Sequence, residues 1–187
     1  QFTVGNITLS SGANRFTVKG QDAAGNEVSE ERVIVWEPER VLRLSDARDV
    51  QEGQRVVFPL TLTTPGDVSG LTFRLNYDAT YLSDPKVELS ALVGQSVNSI
   101  NLGEPGVING AFALGGSELP VGLVPVATVS FRARSVPMVL STEVSVEIDS
   151  MSSADGSALP IGNATMSGWG RIKPRRIKGD NNANQRV

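Results

Sequence analysis

Hydrophobic and polar residues alternate most clearly between Val50 and Leu82. Within Leu71–Tyr77, the side chains Leu71, Phe73, Leu75 and Tyr77 fall on one face of an extended chain, and Thr72, Arg74 and Asn76 on the other. A period of two is what a half-buried antiparallel strand requires, because successive side chains point to opposite faces. A second alternating run, Arg55–Thr63, precedes it, and a polar loop with Pro65-Gly66-Asp67 and Ser69-Gly70 joins the pair. Gly53 before the first run and Asn76-Tyr77-Asp78 after the second supply turn chemistry. Strand signals continue at Val41–Leu44, Lys86–Leu89, Val97–Ile100, Gly106–Leu114, Val124–Ala133 and Glu143–Ile148, with a glycine-containing closing strand over Gly162–Ile172. Ala79–Leu82 and Ser90–Leu92 leave room for single turns of helix. Short strands at regular spacing, punctuated by Gly103–Gly106, Gly115-Gly116 and Asp155-Gly156, predict an all-β fold, an antiparallel β-sandwich over residues 41–173.

The first 36 residues read as a separate set of short strands, Phe2–Val4, Ile7–Leu9, Arg15–Lys19 and Arg32–Trp36, with turns at Ser11–Asn14 and Ala24–Asn26. Glu37-Pro38-Glu39-Arg40 reads as a charged linker. So few strands leave edges open, which predicts completion by upstream residues, by another chain or by docking on the next domain. Asp22, Gly25 and Asn26 admit two readings, calcium ligands or the residues of a hairpin turn, and turn chemistry is the more economical.

Composition narrows the chemistry. The chain has no histidine and no cysteine, which removes Ser-His-Asp and Cys-His nucleophilic sites, the usual zinc and iron ligand sets, and disulfides. A formal net charge of −3 over 187 residues gives no basic field, which argues against nucleic acid as a partner. No apolar run is long enough to cross a bilayer, no signal peptide is visible, and the abrupt ends read as those of a fragment. The carboxylates are scattered through turns and strand exteriors, so paired-carboxylate catalysis is disfavoured. Sugar stacking needs a row of exposed rings, yet aromatics are 5% of the chain and Phe58, Phe73, Phe112 and Phe131 sit at inward positions. That leaves Trp36 and Trp169, read as plugs of a core or domain junction. Asp84-Pro85 is acid-labile chemistry, and its plainer reading is a turn before the strand at Val87. Arg171, Lys173, Arg175, Arg176 and Lys178 read as a solvated basic linker.

Three parts of the chain carry family resemblance. The run LSSGANRFTVKGQDAAGNEVSEERVIV resembles the closing strands of bacterial immunoglobulin-like modules. The order EGQRVVFPLTL, GLTFRLNYD, NGAFAL, PVATVSFRAR and VEIDSMSSADGSALP resembles a cohesin module, a jelly-roll sandwich related to cellulose-binding families. Where the family has F-x-Y-D-P-x-x-L, this chain keeps Tyr77-Asp78 and Leu82 but places Ala79-Thr80 where the proline would stand. The last residues, from Gly179 to Val187, are similar to the opening of a dockerin calcium loop, with Asp180, Asn182 and Asn184 at its first, third and fifth positions. The loop stops before its bidentate acidic ligand, so this segment alone binds Ca2+ weakly or not at all.

The resemblance implies a non-catalytic interaction module of a secreted or cell-surface multi-modular protein. Its partner would be a dockerin-like module or neighbouring copies of itself. The binding face would be the outward side of the matching strands: Thr72, Arg74, Asn76, Asn109, Ala111, Thr128 and Ser130. A structural spacer in a fibre or surface layer is the alternative, with carbohydrate binding behind it.

Overall fold

The computed structural model describes residues 7, 12–36, 40–161 and 165–175. The strands expected at Phe2–Val4 and beyond Ile7, the Trp36 side chain, and the loop residues Asp180, Asn182 and Asn184 lie outside the described residues. The chain divides into two compact units, Gln1–Pro38 and Glu39–Val187.

In the first unit, β1 (Gly12–Gln21) and β2 (Glu27–Trp36) form one antiparallel hairpin. The strand begins at Gly12, so Gly12–Asn14, expected within a turn, are instead extended chain, and Ser11 lies outside the described residues. The turn falls at Asp22–Asn26, where Asp22 Oδ1 accepts from the backbone N–H groups of Ala24 and Asn26, both at 2.9 Å. Gly25 supplies the left-handed residue at φ +87°.

The second unit is the sandwich. Its strands are β3 (Val41–Leu44), β4 (Val50–Gln51), β5 (Arg55–Thr64), β6 (Gly70–Tyr77), β7 (Leu82–Leu89), β8 (Val97–Asn101), β9 (Val107–Ala113), β10 (Gly122–Ala133), β11 (Leu140–Ser152), β12 (Thr165–Met166) and β13 (Gly168–Lys173). A single helical turn, α1 (Ala91–Gly94), is capped by the Ser90 side chain, which accepts from the Val93 N–H. Among the described residues, one sheet runs β12-β3-β5-β10-β7 and the other β4-β13-β11-β6-β9-β8. The expected all-β sandwich is what forms.

Alternation is what drives the layers together. Val56, Phe58, Leu60 and Leu62 of β5 and Val129 and Phe131 of β10 point inward from one sheet. Leu71, Phe73 and Leu75 of β6, Ile108 and Phe112 of β9, and Val144 and Val146 of β11 meet them from the other. Removing each such side chain from water contributes about 1.5–3 kcal/mol, so a one-residue slip of register would forfeit a whole strand's share. Phe58 and Phe131 meet edge-on at 6.0 Å, and Tyr77 tilts against Phe131 at 4.6 Å.

The first and last strands each divide between the sheets. Leu44 pairs with Leu60 and Ser45 N–H donates to the Pro59 carbonyl; Pro59 has no N–H to return, and there the chain leaves for the opposite sheet as β4. The closing strand, expected as one piece, likewise splits. β12 lies parallel to β3, and β13 lies parallel to β4. Gly168 and Gly170 line β13's inner side, where an added β-carbon would come within 3.0 Å of Phe58 ring atoms.

Arg40, which reads from the sequence as the end of a linker, is a member of the sandwich. It is 5% exposed, and its guanidinium takes the Asp67 carboxylate in a two-point grip, Nε to Oδ1 at 3.0 Å and Nη2 to Oδ2. The polar loop between β5 and β6 is thereby tied to the point where the chain enters the fold.

Candidate functional site

The outward residues of β6 are the three that alternation assigned: Thr72, Arg74 and Asn76. Antiparallel register brings Asn109 of β9 opposite Arg74, and Ala111 opposite Thr72. These five expected residues therefore share one face. β8 and β11 extend it: Asn101 pairs with Asn109 and Ser99 with Ala111, while Glu147 stands opposite Arg74 and Ser150 opposite Thr72. The result is two rows crossing four strands. One is polar, Asn101, Asn109, Arg74 and Glu147; the other is small, Ser99, Ala111, Thr72 and Ser150.

The polar row is loosely bonded. Arg74 Nε donates to Asn109 Oδ1 at 3.3 Å, its Nη2 is 3.8 Å from Asp149 Oδ2, and Asn76 Nδ2 reaches Glu147 Oε1 at 3.5 Å. Contacts at these distances are weak, so Arg74 can exchange them for an incoming carboxylate at little cost. Beside the small row lies a shallow depression of about 330 Å³, lined by Gly70, Thr72, Val97, Ser99, Ala111, Ala113 and Ser150 among others. Val97 stands 80% exposed at its rim. Sequence reasoning identified β8 and β11 as strands but did not assign their outward positions. Val97 and Ser99 alternating against half-buried Ile100 was the available signal.

Thr128 and Ser130 belong elsewhere. They lie on β10, in the other sheet, where Thr128 pairs with Pro59 and Glu88, and Ser130 with Val57 and Lys86. Both point outward as expected, but from the opposite side of the sandwich; alternation fixes which side of its own strand a residue occupies, not which sheet that strand joins. Ser130 is also engaged, its hydroxyl accepting from Arg55 Nε at 3.2 Å and its carbonyl from Arg55 Nη2 at 3.0 Å.

Asp22 spends Oδ1 on turn N–H groups and Oδ2 on Asn26 Nδ2 at 2.7 Å; Asn26 and the turn N–H groups hold its carboxyl below the ordinary range. That is hairpin-turn geometry. Trp169 is not a core plug. It lies on the outer face of β13 at 51% exposure, because Gly168 and Gly170 take the inward positions. Tyr77-Asp78 keeps its turn without the family's proline: Asp78 Oδ1 accepts from Thr80 N–H at 2.8 Å, the Asp78 carbonyl from Leu82 N–H at 2.9 Å, and Leu82 is fully buried. Asp84-Pro85 forms a bulge inside β7 rather than a turn before it. Among the described residues, no three or more acidic side chains gather as a metal site would require, and no helix is long and apolar enough to cross a membrane.

No family model and no curated protein sequence matches the chain. Among solved structures, those it is similar to are cohesin domains. One is a non-cellulosomal cohesin from the hyperthermophilic archaeon Archaeoglobus fulgidus, at TM-score 0.61 and 19% identity over 72% of this chain and 91% of that one. Another is the seventh ScaB type I cohesin from Pseudobacteroides cellulosolvens, at TM-score 0.63 and 19% identity over 79% and 97%. A third is the type I cohesin–dockerin complex Coh-OlpA-Doc918 from Clostridium thermocellum, at TM-score 0.60 and 14% identity over 72% and 99%. The sandwich is thus cohesin-like in fold.

Proposed function

We propose that this chain is a non-catalytic protein-interaction module that takes a dockerin-type partner on the outward face of β11-β6-β9-β8. The observation that carries the reading is the juxtaposition of Thr72, Arg74, Asn76, Asn109 and Ala111 on one contiguous face, in a fold whose solved examples include complexes with dockerins. A floor of small residues, flanked by a loosely held arginine, suits a flat protein surface with few anchors. The parent protein is then extracellular or displayed at a cell surface. Asp180, Asn182 and Asn184 would be calcium ligands only within a completed dockerin-like loop.

Titration calorimetry against a panel of calcium-loaded dockerins tests this. Arg74→Glu and Ala111→Arg are expected to weaken binding at least about tenfold, which is about 1.4 kcal/mol. Thr128→Arg, on the opposite sheet, should leave it unchanged. Absence of binding across the panel, or equal loss from both faces, would sink the proposal.

A structural spacer is the second reading. It is favoured by the outer face of the other sheet, where exposed Val57, Pro59, Leu123 and Pro125 follow one another on β5 and β10, a surface that stacking of modules would cover. Electron microscopy showing fibres of the purified chain, with no dockerin bound, would favour it. Carbohydrate stacking has less support, since among the described residues Trp169 is the only aromatic on the outward face of its sheet.

A further inference from the structure

The carbonyl of Asp84 and its own carboxylate share one cation. Arg55 Nη1 donates to Asp84 Oδ2 at 2.7 Å, and Nη2 donates to the Asp84 carbonyl oxygen at 2.9 Å. The two groups therefore lie side by side against a single guanidinium. The peptide bond leaving that carbonyl goes to Pro85, and it is the only Asp-Pro bond in the sequence. Asp84 is held at φ +49°, the left-handed region that is strained for a residue with a β-carbon. The strain arises in the bulge, where Ser130 pairs with Lys86 and Arg132 with Ser83, so that Asp84 and Pro85 stand together opposite Phe131. The Asp84 side chain is 52% exposed. A depression of about 210 Å³ opens beside the bond, lined among others by Tyr77, Ser83, Gly103 and Arg134, which gives water access.

We propose that this bulge is a self-cleavage site, at which the Asp84 carboxylate displaces Pro85 from its own carbonyl carbon in mild acid. An electron pair of the carboxylate oxygen forms a bond to that carbon, closing a five-membered ring. The carbon–nitrogen bond then breaks with its electrons staying on the Pro85 nitrogen, which takes a proton from the acid medium. Asp84 is left as a cyclic anhydride. One water opens it to two carboxylates and the new Pro85 amine ends as an ammonium, so the net reaction is hydrolysis of one peptide bond. Arg55 assists twice. Its Nη2 already points at the oxygen where negative charge grows in the tetrahedral intermediate. Its charge also favours the ionised carboxylate, so the nucleophile survives into the acid range in which the proline nitrogen can be protonated. The groups facing Asp84 are cationic on each packed strand: Arg55 on β5, Lys86 on β7 and Arg132 on β10, with Arg134 and Tyr77 across the depression. Of these, the Arg55 hydrogen bond does most to hold the Asp84 carboxyl below its ordinary range, with smaller help from Lys86 and Arg132. Since β7 closes the edge of its sheet, the cut would place a new carboxylate and a new ammonium in an edge strand.

The full chain is held at about pH 4, near the ordinary carboxyl range, with circular dichroism confirming that it stays folded, and intact mass is followed over days. The expected result is two fragments, residues 1–84 and 85–187, formed at least tenfold faster than from the same chain unfolded in urea at the same pH. Arg55→Lys, which keeps the charge but loses the fork, should slow cleavage roughly a hundredfold, the scale of one lost oxyanion donor. Asp84→Asn should stop it. Cleavage of the folded chain no faster than of the unfolded one overturns the proposal without any variant, as does an unchanged rate in Arg55→Lys.

Discussion

Arg40 shows how much a single side chain can hold. Its side chain is 4% exposed and that of its partner Asp67 30% exposed, so removing either leaves a charge stranded in a poor solvent. Arg40→Ala or Asp67→Asn is expected to cost about 3 kcal/mol, as for other broken buried pairs, read as a shifted urea midpoint at constant slope. The double variant should cost less than the sum. Gly110 makes the opposite demand, for empty space. It sits opposite Phe73 on the neighbouring strand, and a β-carbon there would fall 2.3 Å from the ring's Cζ. Gly110→Ala should lose on the order of 1–3 kcal/mol through overpacking, where the same change at exposed Gly116 meets no atom and is limited by its positive φ. Asp155 fixes an acid response. The Ser153 hydroxyl, then the Ser157 N–H, lower its carboxyl from 3.8 to about 2. A depressed folded value means that its contribution is complete above pH 3.8 and is lost as pH falls toward 2. Asp155→Asn should therefore flatten the stability curve over that interval in acid titrations of the melting temperature.

Elements differ in how openly the sequence declares them. β5, β6 and β10 were legible because large apolar residues recur at every second position and their polar neighbours are unambiguous. The outward identities of Thr72, Arg74, Asn76, Asn109 and Ala111 followed directly. Sheet membership did not follow, and Thr128 and Ser130 lie on the opposite sheet from the other five for that reason: alternation is a local property, while the pairing of β10 with β5 and β7 is decided by distant residues. The splitting of the first strand was also hidden. Pro59 was visible as a residue without a donor, but that it coincides with the end of β3 emerges only from the pairing. Asp84-Pro85 misled because proline before a strand usually marks its start; here β7 runs through it as a bulge, anchored by Arg55 from 29 residues away. A long-range arginine contact leaves no periodic trace.

At the scale of the whole module, the two outer faces of the sandwich have different characters. One carries crossed rows of polar and small residues around a shallow depression; the other carries exposed valine, leucine and proline on β5 and β10. A partner that reads the first should be indifferent to charge placed on the second, so Arg74→Glu and Thr128→Arg form a matched pair, each checked for an unchanged melting temperature before binding is measured.

The parallel course of the opening and closing strands has a mechanical meaning. Val41 to Gln51 and Thr165 to Lys173 run the same way along the sandwich, so the chain enters at one end and departs at the other. Tension applied between Arg40 and Lys173 would load their shared hydrogen bonds together, in shear, instead of peeling them one after another. A module joined in series under pulling load should thus yield in a single abrupt event, at a force well above that needed to unzip the β1–β2 hairpin, and a force–extension trace would record it.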